Sequence, residues 1–583
     1  MIQVVIGQHG HYRPNTLNLR IDFKAIMRII TLNIVLLSLF GCASVPTHLD
    51  LPVTSEAILK RDYYTVKIPS FDGKTIRATI FQPELKPGET APVIIHAHGF
   101  GMFRMSRPTS LYGNFIFSGI AAKKAWKNGY WMVSFDQRGH GQSEGSIEMM
   151  SPDAEVNDLK FLISWIENNI PRLTYEADNP VVGMIGESYG GGVQLMGASL
   201  DDRINAIVPI TTWHDFSTVL TPNKVVKSGW LTTLVAMGNI MNPTTMNSNL
   251  NAAYLKSIRG IIPESFGPMM QSRSLSDACY CQVDAEPRAD AFLIQGFKDV
   301  LFPINEAVEN KKCFEAANRD VRLLGTQNGH LLPMTQFAMS LPGYDVDTEV
   351  TCGSQTYRTD DLVLAWFDEK LKNQKGRADI IPKVCLTHDQ QSGSVYSEVP
   401  RGGDTFTIPA TGVESGFAGL FEAPFKVVDS LTSLLITKQN YASKKKAQVN
   451  AFAKPEREGL VRPSFVPLYV STGNEQITGI PIANLSVSGE RNDIVFVGVG
   501  LQKNGQSRPK LISDQVFPLR GGEDYYADMP AISSQLNNGD VVGLMVAGYS
   551  NQYRISSSIT TNADVSGSIE LPIQSAKKTA GIL

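Results

Sequence analysis

Three side chains set far apart in the chain have the chemistry for acyl transfer: Ser188, Asp299 and His330. Ser188 lies in Gly186-Glu187-Ser188-Tyr189-Gly190, between the apolar run Val181-Val182-Gly183-Met184-Ile185 and Gly191-Gly192. A serine forced onto a sharp turn from strand to helix exposes its hydroxyl only where its neighbours lack side chains that would collide with the turn, and the flanking glycines meet that condition. Asp299 follows a second apolar run, Ala291-Phe292-Leu293-Ile294-Gln295, through Gly296-Phe297-Lys298. His330 follows Val321-Arg322-Leu323-Leu324 through Thr326-Gln327-Asn328-Gly329. A serine hydroxyl attacks only as a base takes its proton, and an imidazole suits that transfer in both directions near neutrality. A buried carboxylate fixes the imidazole tautomer and stabilises the imidazolium. The order serine, acid, histidine therefore predicts Ser188 as nucleophile, Asp299 as orienting acid and His330 as base. Singly, His330 reads as a turn histidine and Asp299 as a helix cap ahead of Pro303; order and spacing together favour the triad. Asp284, Asp290 and Glu306 are near in sequence but lack the placement of a loop after a strand.

The oxyanion formed by attack needs two fixed donors. The residue after the nucleophile supplies one, the backbone N–H of Tyr189. The loop Ala97-His98-Gly99-Phe100-Gly101, after the strand Pro92-Val93-Ile94-Ile95-His96, offers the other through the N–H of Phe100. His96 and His98 could suggest a metal pair, but no acidic or cysteine ligand sits close in sequence to complete it, and both read as scaffold. The chemistry calls for no metal and no organic cofactor.

The elements that position these groups alternate. Tyr64 to Pro69 and Thr75 to Gln82 flank an Asp72-Gly73 turn and predict a hairpin. Strands at 92–96, 131–135 and 206–210 alternate with helices at Gly119 to Asn128 and after Ser151-Pro152, where Val156, Leu159, Ile163, Ile166 and Ile170 share a face. That alternation predicts a parallel doubly wound α/β sheet, with reacting groups gathered beyond the carboxyl ends of the strands. It stops between about 212 and 287, a stretch rich in Trp and Met that reads as a helical cap insertion; those side chains suit a substrate pocket and the cap's own small core equally well. A helix from Asp360 to Lys372 closes the first domain, placed at 55–380. Beyond it, short alternating strands at 465–470, 485–487, 494–499 and 541–546 predict an all-β sandwich over 381–583.

A chain of 583 residues is too long for one core. Its net charge of −3 gives no electrostatic basis for nucleic-acid binding. Met27-Arg28, the apolar stretch Ile29 to Phe40 and Leu39-Phe40-Gly41-Cys42 form a basic start, a short apolar run and a small-residue cleavage point, as in a secretory signal. Residues 1–26 fit neither that signal nor the fold, and Met27 reads as the better start; the leader is placed at 1–44. Beyond Cys42 there are five cysteines, so an exported chain would form one or two disulfides and leave at least one thiol unpaired.

The Gly-Glu-Ser188-Tyr-Gly-Gly turn, the loop Asp136-Gln137-Arg138-Gly139-His140-Gly141-Gln142-Ser143-Glu144-Gly145, Gly296-Phe297-Lys298-Asp299 and Gly329-His330 resemble the family of cocaine esterase and the X-Pro dipeptidyl peptidases. Ile477-Thr478-Gly479-Ile480-Pro481 and Leu536-Asn537-Asn538-Gly539-Asp540 extend the resemblance to about residue 560. It implies an α/β-hydrolase with a helical cap and a C-terminal jelly-roll sandwich of galactose-binding type, acting as a serine hydrolase on an ester or amide. An X-Pro dipeptidyl peptidase is the rival enzyme, and a non-catalytic surface lipoprotein that binds glycan or a protein partner is the rival of another class. There is one departure: cocaine-esterase-like members place a tyrosine hydroxyl in the oxyanion loop, where this chain has Phe100. The leader's ending resembles the bacterial lipoprotein box, with Cys42 the lipidated residue, which implies a membrane association through a lipid anchor, with the outer membrane favoured by Ala43.

Overall fold

The computed structural model describes residues 57–241, 246–257, 262–280, 286–330, 346–414, 463–556 and 561–575, all within one compact unit of the chain. The leader with Met27 and Cys42 lies outside the described residues, as do Asp284 and Cys281.

Ten strands form the main sheet. In chain order they are β1 (Asp62–Pro69), β2 (Thr75–Gln82), β3 (Val93–Ala97), β4 (Trp131–Phe135), β5 (Val182–Glu187), β6 (Ile204–Ile210), β7 (Asp290–Lys298), β8 (Val321–Gly329), β9 (Val384–Thr387) and β10 (Gly393–Tyr396). Their spatial order is β1-β2-β4-β3-β5-β6-β7-β8-β9-β10. From β4 across to β9 every neighbouring pair is parallel, with helices in the connections. Both margins are antiparallel, so the sheet is mixed rather than wholly parallel. Connection length explains the outermost pair on each side: the Asp72-Gly73 turn and the short link from β9 to β10 can join only antiparallel neighbours.

Adjacent residues of the central strands feed opposite cores. Ile95, Val133 and Met184 pack with Leu159, Ile163 and Ile166 of α2 (Asn157–Asn169), Val193 of α3 (Tyr189–Leu200) and Phe314 of α6 (Ile304–Ala316). Ile94, Met132 and Ile185 face the other way, against Ala121 and Trp126 of α1 (Phe117–Lys127) and Leu362 and Trp366 of α7 (Thr359–Lys372). A period of two along each strand thus buries both faces, as a sheet clad in helices requires. Between β6 and β7 the described elements are helices joined by turns, with α4 (Ser228–Met241) and α5 (Ser248–Ser257) the longest.

The boundary at residue 380 needs correcting. Val384-Cys385-Leu386 pairs in parallel with β8, and β10 pairs with β9, so the main sheet continues to Tyr396. β9 is buried on both faces, and a disulfide from Cys385 ties it to Cys352, at the end of a separate two-stranded ribbon. A second disulfide joins Cys279 to Cys313.

After β10 the strands are antiparallel. Asp404–Glu414, Asn562–Leu571, Ile482–Val487 and Glu523–Asp528 make one sheet. Ser464–Val470, Val541–Ala547, Ile494–Gln502 and Lys510–Leu511 make another, with Phe517–Arg520 paired to the third of these. Ile408, Leu485 and Val565 of the first share a core with Val497, Val542 and Leu544 of the second, which is the packing of a β-sandwich.

Candidate active site

The turn after β5 is held in a conformation that side-chain-bearing residues seldom adopt: Ser188 has φ 53° and ψ −112°. Its N–H donates to the Ile210 carbonyl at 2.8 Å, and its carbonyl accepts from the N–H groups of Gly191 and Gly192 and from the Thr212 hydroxyl. The glycines are needed because of what surrounds them. A Cβ at Gly186 or Gly190 would run into the carbonyl oxygen of Ala97, and one at Gly192 into the Trp213 ring.

The structure brings Ser188, Asp299 and His330 together. The Nε2 of His330 lies 2.9 Å from the Ser188 hydroxyl, and its Nδ1 lies 2.8 Å from Oδ2 of Asp299. All three residues are buried. The tautomer that donates from Nδ1 to the carboxylate turns the Nε2 lone pair toward the serine, as uptake of the hydroxyl proton requires. Phe302 and Trp230 stand edge-on to the imidazole, with ring centroids at 5.1 and 5.8 Å.

The loop carrying Asp299 is fastened on every side. Oδ1 of Asp299 accepts from the N–H groups of Leu301 (3.0 Å) and Phe302 (2.8 Å). Gln295 Nε2 donates to Oδ2 and to the Phe302 carbonyl. Lys227 Nζ donates to the carbonyls of Val300 and Leu301, and burial pushes this ammonium down to about 8. From the β-sandwich, Gln515 Nε2 donates to the carbonyls of Phe297 (2.7 Å) and Asp299 (3.0 Å). None of these three residues stood out in the sequence. Gln295 left one signal, a polar side chain within a buried strand; Lys227 and Gln515 left none. Gln515→Ala strips two buried carbonyls of their donor and frees the loop to shift. Because displacement by about 1 Å can cost about a hundredfold in rate, kcat is expected to fall ten- to a hundredfold. Steady-state kinetics beside a thermal melt checks this, and unaltered kcat would show that the sandwich does not position the loop.

Asp290 and Glu306 are engaged elsewhere. Asp290 pairs with Lys370 at 3.0 Å, and Glu306 accepts the N–H groups of His214 and Asp215. The loop after β3 reaches the elbow: the Gly99 N–H donates to Tyr112 Oη (2.9 Å) and to Oε1 of Glu187 (3.2 Å), the residue before Ser188. Phe100 in this loop and Tyr189 at the start of α3 meet here, with their rings edge-on at 5.5 Å. His96 bonds Ser134 and Ser118, and His98 bonds the Gly99 carbonyl and the Gln137 N–H. Burial pushes these imidazoles down to about 3 and about 4, so both are neutral parts of the framework.

Tyr189 does more than follow the serine. Its hydroxyl donates to Oε1 of Glu155 (2.8 Å) and accepts from the Met150 N–H (3.0 Å). Glu155 also accepts the N–H groups of Glu148 and Ser151. Burial pushes its carboxyl from 4.5 up to about 7. The folded state therefore holds this proton more tightly than the unfolded chain does. The stability Glu155 contributes is full below about pH 4.5 and is lost as pH rises through about 7. Against Glu155→Gln, the wild-type melting temperature is expected to hold its best margin near pH 5 and to lose a few degrees of it by pH 8. A margin that widens with pH, in melts taken across that range, would contradict the assignment.

A glycine-lined elbow beyond the carboxyl end of a central strand, with an acid and a histidine delivered by later strand ends, defines the α/β-hydrolase class. Residues 72–331 match the family model described as X-Pro dipeptidyl-peptidase (S15 family), so the resemblance to that family holds over the segment carrying all three residues. An uncharacterized 31.7 kDa protein of Escherichia coli is 25% identical over 185 residues, 30% of this chain and 59% of its own length. The quorum-quenching protein AidA of Acinetobacter baumannii is 26% identical over 175 residues, 29% of this chain and 53% of its own. The chain thus spans somewhat over half the length of these curated relatives. Two solved structures share the fold across both domains. An aminopeptidase from a marine sediment Thaumarchaeota archaeon has a TM-score of 0.56 at 14% identity, covering 92% of this chain and 99% of its own. An α-amino acid ester hydrolase has a TM-score of 0.54 at 14% identity, covering 91% and 100%.

Proposed function

We propose that this chain is a serine hydrolase that cleaves an ester or amide bond through an acyl-enzyme. The observation that carries the reading is the unbroken hydrogen-bonded chain from the Ser188 hydroxyl through His330 to Asp299, at 2.9 and 2.8 Å. Ser188 Oγ attacks the substrate carbonyl carbon as its proton passes to His330 Nε2, and the oxyanion takes hydrogen bonds from the N–H groups of Tyr189 and Phe100. Collapse of the tetrahedral adduct breaks the bond to the leaving alcohol or amine, which receives the proton from His330. Water then attacks the acyl-enzyme, giving its proton to the same nitrogen, and the carboxylic acid departs as Ser188 is restored.

A fluorophosphonate probe tests the nucleophile: label on Ser188 is expected, and its absence would leave a non-catalytic binding protein as the better reading. The family match favours a second reading, an X-Pro dipeptidyl peptidase. Side-by-side turnover of nitrophenyl esters and Xaa-Pro anilides separates the two, and exclusive anilide cleavage would overturn the esterase preference.

We also propose export and lipid attachment at Cys42. Two disulfides support an oxidising compartment, and the Leu39-Phe40-Gly41-Cys42 ending, with a small residue before the cysteine, supports the lipidation site. Palmitate labelling that survives in Cys42→Ser would count against it.

A further inference from the structure

A pocket lies against the helical segment between β6 and β7, which supplies most of its wall. Phe100, Met149, Leu231, Leu234, Leu250 and Phe266 are among its lining residues, and no charged side chain lines it. Its one hydroxyl, on Tyr254, is bonded to Thr232.

Three contacts tie the walls of this pocket to the elbow and the imidazole. Phe100 lines it, and its ring lies edge-on to that of Tyr189, the residue after the serine. The Tyr189 hydroxyl holds the Met150 N–H, which fixes the neighbouring Met149, at φ 58°, where it lines the pocket. On α4, Trp230 covers His330, while Leu231 and Leu234, one turn on or less, line the pocket. The same helix separates wall from core: Trp230 and Met237 are fully covered, whereas Leu231 and Val235 remain partly open.

The geometry points to an uncharged, apolar acyl chain as the group this pocket takes: the alkyl part of a medium-chain ester, with its carbonyl at Ser188. An ammonium or carboxylate placed there would lose its water and gain no partner. The inference rests on the reading of Ser188 as nucleophile and deepens it.

The test uses nitrophenyl acetate, butyrate and octanoate with the folded chain. Each added methylene is expected to raise kcat/KM about fourfold until the pocket is filled. Filling the pocket by Ala253→Phe and, independently, by Val235→Phe is expected to lower the octanoate-to-acetate ratio at least tenfold. A flat or falling wild-type series on a chain that takes fluorophosphonate, or a ratio unmoved in both variants, would overturn the proposal. Should the chain take no label and turn over no ester, the hydrolase reading fails and the pocket is judged by binding alone. In Ser188→Ala protein, octanoate and not acetate is expected to raise the melting temperature, and Ala253→Phe to remove that rise. Equal shifts from the two acids, or none, would overturn the pocket assignment.

Discussion

Ser188→Ala is expected to lower kcat for a nitrophenyl ester by about 10⁴- to 10⁶-fold and to abolish fluorophosphonate labelling. Alanine keeps the backbone and removes the only atom that can form the covalent bond. The elbow survives, because φ 53° at this position is imposed by the hydrogen bonds to Ile210, Gly191, Gly192 and Thr212, none of which uses the Ser188 side chain. A melting temperature close to wild type should therefore accompany the loss. The residue of rate above water would come from the proposed oxyanion donors, the N–H groups of Tyr189 and Phe100, which the substitution does not touch. Turnover within tenfold of wild type, in protein free of wild-type contamination, would remove Ser188 from the mechanism.

Asp299→Asn is expected to cost about 10⁴-fold in kcat with the fold intact. The carboxylate accepts on both oxygens, from the N–H groups of Leu301 and Phe302 on one and from His330 and Gln295 on the other. An amide can satisfy only one side. Held by the two backbone donors, it turns its NH₂ toward His330 and forces the imidazole to carry its proton on Nε2, facing a serine it can no longer deprotonate. Turned the other way, it opposes two buried N–H groups and strains the loop. The effect should fall on kcat rather than KM, and kinetics at several pH values on folded protein reads it. Near-normal kcat would show that the tautomer is fixed by some other group.

Much of this site was legible in the sequence because its parts are local. A serine between glycines after an apolar run reports a backbone conformation that few other residues permit, and Asp299 and His330 stand at the ends of short buried strands. The hairpin at Asp72-Gly73 and the apolar face of α2 were legible for the same reason, since turn sterics and helical period are properties of neighbouring residues. The end of the main sheet was not: Val384 to Thr387 reads like any short strand, and whether it joins one sheet or another depends on the edge it meets. The tryptophans and methionines after β6 were ambiguous in kind, because pocket walls and small cores use the same side chains.

What the residues determined unaided was the strained turn, the order of the reacting groups and the two kinds of domain. Packing alone decided that Lys227 and Gln515 fasten the acid loop, the latter from 216 positions away, and that Leu231 and Val235 keep open surface while Trp230 does not. A backbone's preferred angles are written in each residue and its neighbours. A hydrogen bond between distant side chains, or a space left unfilled, exists only once the whole chain has closed around it.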